Sequence, residues 1–442
     1  MSEAQPNRKI LVLGASGLIG RFVTDNLRAR GFQVTGLARR FPASQKDAKS
    51  DLEVPILSMD ATALASLLRD AEIDVIINCL GVLQDGPGSD TRSVHCDFVE
   101  RLLRAIGENG RAVRLVHISI PGVAGDDRTA FSRTKREAER LIAASGMSYA
   151  ILRPGFVLAP SAYGGSAMLR ALAALPIDLP AREAATPFQP VTIEDIAATI
   201  AWLAARGIDD PAASVVWDLM QPQPITLSGV IDRFRKFFGT ADTPRIALPG
   251  FVLELGARCG DIVSGLGWMP PIRSTAIAEL RRGVCGDPSA WMAATGIVPV
   301  DIDEAVRHRT ATIQDKWFAR LFLLKPLVIA ALAVFWIASG FIALVLSWDA
   351  AVGILTSHRV PPELARFMTV GSSLMDMTIG FLISFRRTCA AGLIAGIVVS
   401  FGYMSGAAIL TPDLWIEPLG ALVKTGPAIV LMLVALLTLD NR

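Results

Sequence analysis

From Lys9 to Leu152 short apolar runs alternate with stretches whose apolar positions recur every three or four residues. Runs at Ile10–Leu13, Gln33–Leu37, Val54–Leu57, Asp74–Cys79, Arg114–Ser119 and Tyr149–Leu152 predict strands. Helices are predicted between them at Leu18–Arg30, Leu64–Arg69, Cys96–Asn109 and Thr134–Ala144. Strand and helix alternating in this way predict an α/β fold, a Rossmann-type parallel sheet with helices on both faces. A helical insert follows over 161–210, ending in a helix capped by Thr192 or Asp195. Residues Trp217–Val300 mix both patterns with many prolines and glycines and read as a small second lobe. The pattern then changes. Four almost wholly apolar stretches, Pro326–Ser347, Ala365–Phe385, Thr388–Leu410 and Leu419–Leu439, are each about 20 residues, the length that crosses a bilayer. The expected organisation is a nucleotide-binding domain over 8–310, a basic linker over 311–325, and an all-α four-helix transmembrane bundle over 326–442.

Composition sharpens this division. Of 442 residues, 52% are hydrophobic and only 19% charged, too apolar for an ordinary soluble enzyme, and the excess lies in the tail. Net charge is +2 with no long basic stripe, which excludes a nucleic-acid partner. Cys79, Cys96, Cys259, Cys285 and Cys389 form no CxxC pair, and His95, His117, His308 and His358 are scattered, so neither a disulfide framework nor a metal site is expected. The opening MSEAQPNRK lacks the basic-then-apolar pattern of a signal segment, so the first domain is expected in a reducing cytoplasm. Arg307, Arg309, Lys316, Arg320 and Lys325 precede the first apolar stretch, Arg386 and Arg387 separate the second from the third, and Arg442 ends the chain. TPDLWIEP between the last two carries only acids. By the positive-inside rule, a multi-pass protein of the inner membrane with both termini in the cytoplasm is expected.

The candidate chemistry begins at the first strand. Gly14-Ala15-Ser16-Gly17-Leu18-Ile19-Gly20 stands between a strand and an amphipathic helix. Gly14 permits a tight turn, Gly17 admits a pyrophosphate to the helix N-terminus, and Gly20 lets the helix approach the sheet. Arg39 and Arg40 end the second strand where an acidic residue would bind a ribose 2′-hydroxyl, so NADP(H) is favoured over NAD(H), a solvated basic pair being the alternative. Asp60 after the third strand suits an adenine amino group or a helix N-cap equally.

Several motifs together resemble one family. GASGLIG, INCLG (Ile77 to Gly81), VHISI, FSRTKREAE (Phe131 to Glu139), LRPGFVLAP and FQPVTIEDIA resemble, in order, the atypical short-chain dehydrogenase/reductase superfamily. Within it they are most similar to the branch holding the NADPH-binding accessory subunit of respiratory complex I. The likeness runs over about residues 8–310 and includes GVCGDPSAWMAATGIVP. It implies a serine at Ser119, a ribose-gripping lysine at Lys135 and a cofactor-contacting Gly81. It also implies a tyrosine proton donor where this chain has Phe131. Binding survives that replacement, whereas carbonyl reduction loses its acid. Tyr163, on a loop, is a surface residue or a substitute donor. In the tail, GSSLMDMTIGFLI and EPLGALVKTGPAIVLMLVALL resemble the DoxX-like membrane family, some members of which serve quinone-linked or thiol-linked redox systems.

Two function classes follow. One is a membrane-anchored NADP(H)-dependent oxidoreductase passing reducing equivalents to a quinone-like, lipid-soluble acceptor. The other is a non-catalytic nucleotide-binding module for assembly or redox sensing in a membrane protein complex. Within the bilayer, Asp376 and Lys424 are costly ionisable residues, expected to pair with each other.

Overall fold

The computed structural model describes residues 8–42, 46–47, 49–86, 90–206, 214–307, 310–416, 420 and 422–439. The chain divides into two compact units. One comprises the residues up to Asp261 together with Pro271–Ala319, the other Ile262–Pro270 with the residues from Arg320 onward.

The first unit is built on seven parallel strands: β1 (Lys9–Leu13), β2 (Gln33–Ala38), β3 (Asp51–Glu53), β4 (Val75–Asn78), β5 (Arg114–Ile118), β6 (Tyr149–Pro154) and β7 (Ser214–Leu219). They lie in the order β3-β2-β1-β4-β5-β6-β7. Alternate residues of β1 feed two cores. Ile10 and Val12 pack with α1 (Leu18–Ala29) and α6 (Ile193–Ala205). Leu11 and Leu13 pack with α2 (Ala61–Asp70), α3 (Phe98–Asn109) and α4 (Ala130–Ala144). Because both faces are covered, Ile10–Leu13 of β1 and Val75–Ile77 of β4 are buried and apolar without a break, as the sequence pattern required. Between β6 and β7 lie α5 (Gly164–Ala174) and a two-stranded parallel pairing of Phe156–Leu158 with Pro190–Thr192. A smaller core around α7 (Leu227–Phe238) carries the second lobe, followed by α8 (Gly250–Ser264) and α9 (Ser274–Arg282).

Three expectations change here. The third strand is Asp51–Glu53 and not Val54–Leu57, because Asp51, buried and bonded to Arg28 at 2.7 Å, pairs beside β2 while Ile56–Ser58 winds into a 3₁₀ turn. Helix α4 starts at Ala130, four residues early, since Thr129 and Ser132 form a reciprocal cap. The choice of caps for α6 falls to Thr192, whose hydroxyl accepts from Asp195 N at 3.1 Å.

Three helices, lying in the second unit except for Ile313–Ala319 of the first, are long and apolar enough to cross a membrane. They are α10 (Ile313–Phe341, continued as a π-helical turn to Leu346), α12 (Pro362–Ser384) and α13 (Cys389–Leu410). A fourth apolar helix, α14 (Thr425–Leu437), has 13 described residues, so the count of four full spans is corrected to three and a shorter helix. Its expected start at Leu419, like His308, Arg309 and Arg442, lies outside the described residues. An unexpected helix, α11 (Trp348–Ser357), stands between the first two spans. Ile329, Trp336, Ile379, Leu393 and Met432 bring all four apolar helices into one core, while Leu327, Val334, Phe367, Val398 and Val430 point outward. Outward apolar side chains on every span suit lipid and not water.

Asp376 is buried in this core without the expected lysine. Its Oδ1 accepts from the Tyr403 hydroxyl at 2.7 Å and its Oδ2 from the Ser339 hydroxyl at 3.2 Å. Lys424 is exposed at the N-cap of α14. A lysine at a helix end reaches polar surroundings more cheaply than a buried carboxyl, and the pairing of the two is therefore corrected.

Candidate nucleotide site

The strand order reverses between β1 and β4, and in open parallel sheets the crevice at such a reversal receives the ligand. Two loops meet there. Gly14, at φ +79°, turns the chain sharply out of β1, and the Gly14 and Ala15 amides donate to Leu37 O at 2.9 and 3.1 Å. This straps the loop to the end of β2. A Cβ on Gly14 would lie 3.2 Å from Leu80 Cδ2 and 3.3 Å from the Cys79 carbonyl, so the loop after β4 closes directly against it. A Cβ on Gly20 would collide with Gly14 O and come within 2.8 Å of Gly14 C. Ser16, Gly17, Leu18 and Ile19 are half-exposed over this cradle. Gly17 is the N-cap of α1 and supplies no side-chain cap, and no acidic residue occupies the first turn. The amides of the first turn thus keep their capacity for an anion. These observations fit a dinucleotide pyrophosphate.

Across the crevice, Gly81 is exposed and a Cβ there would sit 3.4 Å from Lys135 Nζ. The buried ammonium donates to Ile118 O at 2.9 Å and Leu80 O at 3.2 Å, joining the ends of β4 and β5 to α4. Burial pushes Lys135 down to about 8, against a smaller opposing pull from Cys79 and Glu139. Ser119 is buried one residue beyond β5, its amide donating to Leu152 O at 2.7 Å. Phe131 stands one helical turn before Lys135 and meets the His95 ring edge-on, with centroids 5.7 Å apart.

His95 and Asn78 escape a reading of motifs. His95 Nε2 accepts from Val82 N at 3.2 Å, so Nδ1 carries the proton and donates to Thr134 Oγ1 at 2.8 Å; that hydroxyl in turn donates to Ala130 O. Burial, reinforced by the Lys135 charge, pushes His95 down to about 2, so it remains neutral and both ring nitrogens are engaged. Asn78 Oδ1 accepts from Leu80 N at 3.1 Å and its amide bonds His117 Nδ1 at 3.1 Å, shaping the loop from within. The available signal was an asparagine ending a wholly apolar strand, where only a satisfied polar group is tolerated. The loop after β5 is held equally firmly. Arg136 donates to Pro121 O at 2.8 Å and Gly122 O at 2.6 Å, and Arg282 of α9 donates to Pro121 O at 2.6 Å.

Arg39 and Arg40 are exposed immediately after β2, and Asp60 caps α2, accepting from Ala63 N at 2.7 Å. Tyr163 is exposed at the N-cap of α5. Among the described residues no cluster of His, Cys, Asp and Glu has metal-holding geometry.

Residues 14–173 match the NAD(P)H-binding family and residues 333–433 the DoxX-like family. The chain therefore joins an NAD(P)-binding, short-chain-dehydrogenase-like domain to a DoxX-like membrane domain. Among curated proteins it is 30% identical over 193 residues to 3-diazoavenalumate denitrifying reductase of a Streptomyces species, covering 37% of this chain and 62% of that one. It is 32% identical over 161 residues to divinyl chlorophyllide a 8-vinyl-reductase of Cucumis sativus, covering 33% and 38%. To dTDP-6-deoxy-L-talose 4-dehydrogenase of Kitasatospora kifunensis it is 29% identical over 110 residues, covering 25% and 34%. The chain thus spans less than two thirds of these relatives' own length. Among solved structures it is similar in fold to UDP-glucose 4-epimerase of Thermotoga maritima with UDP-glucose, at TM-score 0.51 and 13% identity over 71% of this chain and 99% of that one. UDP-glucuronic acid 4-epimerase of Bacillus cereus, solved with UDP-glucuronic acid and NAD, gives TM-score 0.51 and 16% identity over 71% and 99%. The first domain is oxidoreductase-like and the second a membrane domain.

Lys135 makes the site's pH dependence calculable in sign. An ammonium has three donors, and Leu80 O and Ile118 O occupy two. One remains, and it is the donor that a ribose hydroxyl would take. Loss of a proton leaves two donors, both engaged, so nucleotide affinity should fall as pH rises through about 8. In Lys135→Met, binding should be weak and flat over the same range. Fluorescence titration of NADPH between pH 6.5 and 9.5 checks this, and a wild-type affinity that stays constant would refute it.

Proposed function

We propose that the first unit reduces a lipid-soluble, quinone-like acceptor with NADPH, and that the second holds it at the membrane where such an acceptor dissolves. The carrying observation is the placement of Lys135 Nζ between Leu80 O and Ile118 O beside Gly81, with Phe131 where a tyrosine would relay a proton. Gly14, Gly17 and Gly20 would hold the pyrophosphate, Lys135 the ribose, and Arg39 with Arg40 a 2′-phosphate. A nicotinamide bound there would supply a hydride, and the acceptor would take its second hydrogen as a proton from solvent. Neither Phe131 nor the engaged His95 donates that proton, which favours an acceptor whose reduced form is protonated without a positioned acid. With Lys316, Arg320, Lys325, Arg386 and Arg387 on one side of the spans, the first unit and both termini face the cytoplasm.

Phe131 packed on His95 also supports a second reading, in which the nucleotide is a fixed cofactor of an assembly or redox-sensing module. One experiment separates them. The full chain is purified in mild detergent, its nucleotide identified by mass spectrometry, and absorbance at the nicotinamide band followed after a short-chain quinone is added. Oxidation matched by quinol supports the enzyme; tightly held, unreactive NADPH supports the module. Reduction of simple aldehydes should be negligible in the wild type and detectable as a trace in Phe131→Tyr, because Lys135 is already in place. Robust wild-type aldehyde reduction that persists in Tyr163→Phe would overturn the site assignment.

Selectivity is tested separately. Arg39→Ala should weaken NADPH about tenfold, the equivalent of one charge-assisted hydrogen bond, and leave NADH nearly unchanged. Equal losses for both nucleotides would remove the argument for a 2′-phosphate.

A further inference from the structure

Helix α8 is amphipathic in the wrong direction for water. At 100° per residue, Phe251, Leu255, Arg258 and Ile262 share one face, with Val252, Cys259 and Val263 along its edge. That face points outward: Phe251 is 69%, Leu255 58% and Ile262 73% exposed. The opposite face, with buried Ala257 and Gly260, packs inward although it offers little side chain to bury. A surface helix of a soluble domain places its large apolar residues on the covered face.

This orientation is held firmly. A Cβ on Gly260 would collide with Ile272 O and lie 3.1 Å from Ile272 C, so the helix backbone rests on the following turn. Asp261 bonds Arg273 at 3.1 Å and the Ser274 hydroxyl, and Arg281 reaches Glu254 at 3.3 Å. The two acidic residues of α8 are thereby engaged by cations of the same lobe, which leaves Arg258 as the charge on the outward face. Rotating α8 to hide Phe251 and Ile262 would break each of these contacts.

The turn after α8 supplies the partner's identity. Ile262–Pro270 belongs with the second unit. The Trp268 indole donates to Ser384 O at 2.7 Å, Leu266 O accepts from Arg386 N at 3.1 Å, and the Arg386 guanidinium lies 5.6 Å from the Trp268 ring centre. Ser384 is the last residue of the span α12, so this turn is fixed where a spanning helix ends. Tryptophan and arginine at such an end are residues of the membrane interface. Met269, 79% exposed, continues the apolar surface there.

We propose that α8 and the turn to Pro270 form an interfacial membrane element, with Phe251, Leu255, Ile262 and Met269 entering the boundary between headgroups and acyl chains and Arg258 reaching the phosphates. Elements of this type insert about 5–10 Å. The partner is a lipid surface and not a second copy, because α8 runs without a break in the chain into Ile262–Pro270, which within the second unit packs on the end of a span. The inference does not depend on what the nucleotide site reduces.

The test uses the full chain in nanodiscs of phosphatidylcholine and phosphatidylglycerol doped with a lipid whose photoreactive diazirine sits near the glycerol. After irradiation, peptides covering Phe251–Met269 should carry several-fold more lipid than those containing Val123 and Val216, which are exposed apolar residues elsewhere on the first unit. The triple substitution F251S/L255S/I262S should drop α8 labelling to the level of Val123, with labelling of α12 and α13 unchanged. Labelling of α8 no greater than that of Val123 in the wild type would overturn the proposal, whether or not the triple variant folds. So would crosslinking of this face to another protein chain in place of lipid.

Discussion

Replacing Gly20 with alanine is expected to lower NADPH affinity by about two orders of magnitude and to destabilise the first unit by roughly 1–3 kcal/mol, the usual range for overpacking. The added methyl would strike Gly14 O, with Gly14 C at 2.8 Å and Ala15 Cα at 3.1 Å. All three are backbone atoms, so no side chain can swing aside. Relief requires moving the loop, and the loop is held by the amides of Gly14 and Ala15 on Leu37 O. Displacing it also tilts the α1 N-terminus away from the pyrophosphate. Gly125→Ala is the control, since a Cβ there meets nothing within 4 Å. Isothermal titration with NADPH and thermal unfolding of both variants decide the matter. Wild-type affinity in Gly20→Ala would mean that the glycine loop does not hold the nucleotide.

The parallel sheet was legible because burial on both faces imposes continuous apolar runs, which is why the ranges for β1, β2, β4, β5 and β6 agree with the observed strands to within two residues. The edges were less legible. β3 is a three-residue strand whose position depends on the distant ion pair of Asp51 with Arg28, and β7 starts before, and ends inside, the stretch from Trp217 read only as mixed structure. Gly14 makes the tight turn and Gly20 the close helix approach read from their spacing, and Lys135 reaches the crevice from α4. His95 was weighed only as a metal ligand; its bonds to Val82 and Thr134 join residues far apart in sequence. In the membrane half, hydropathy located the spans, but charge complementarity chose the wrong partner for Asp376. A tyrosine hydroxyl satisfies a buried carboxyl without any formal charge to betray it.

That last correction carries a large expected effect. Tyr403→Phe should destabilise the bundle in detergent by about 1 kcal/mol or more, because it removes the 2.7 Å bond to Asp376 Oδ1 and leaves a buried carboxyl oxygen without its principal donor. The helices cannot easily part to admit water. A Cβ on Gly340 of α10 would approach Asp376 Cβ at 3.1 Å and Met377 Cγ at 2.8 Å, so α10 and α12 are in close contact beside the carboxyl. In an Asp376→Leu background the hydroxyl keeps only its long 3.4 Å contact to Ser372 O, and Tyr403→Phe should then cost far less. The difference between the two backgrounds is the coupling energy, which for hydrogen bonds between spanning helices averages about 0.6 and reaches about 1.7 kcal/mol. Lys424→Met combined with Asp376→Leu should be additive, since Lys424 is exposed at the start of α14. Denaturation of the wild type, the three single variants and the two double variants in mixed micelles measures both cycles. Additivity between Asp376 and Tyr403, with coupling between Asp376 and Lys424, would restore the ion pair and reject the hydroxyl contact.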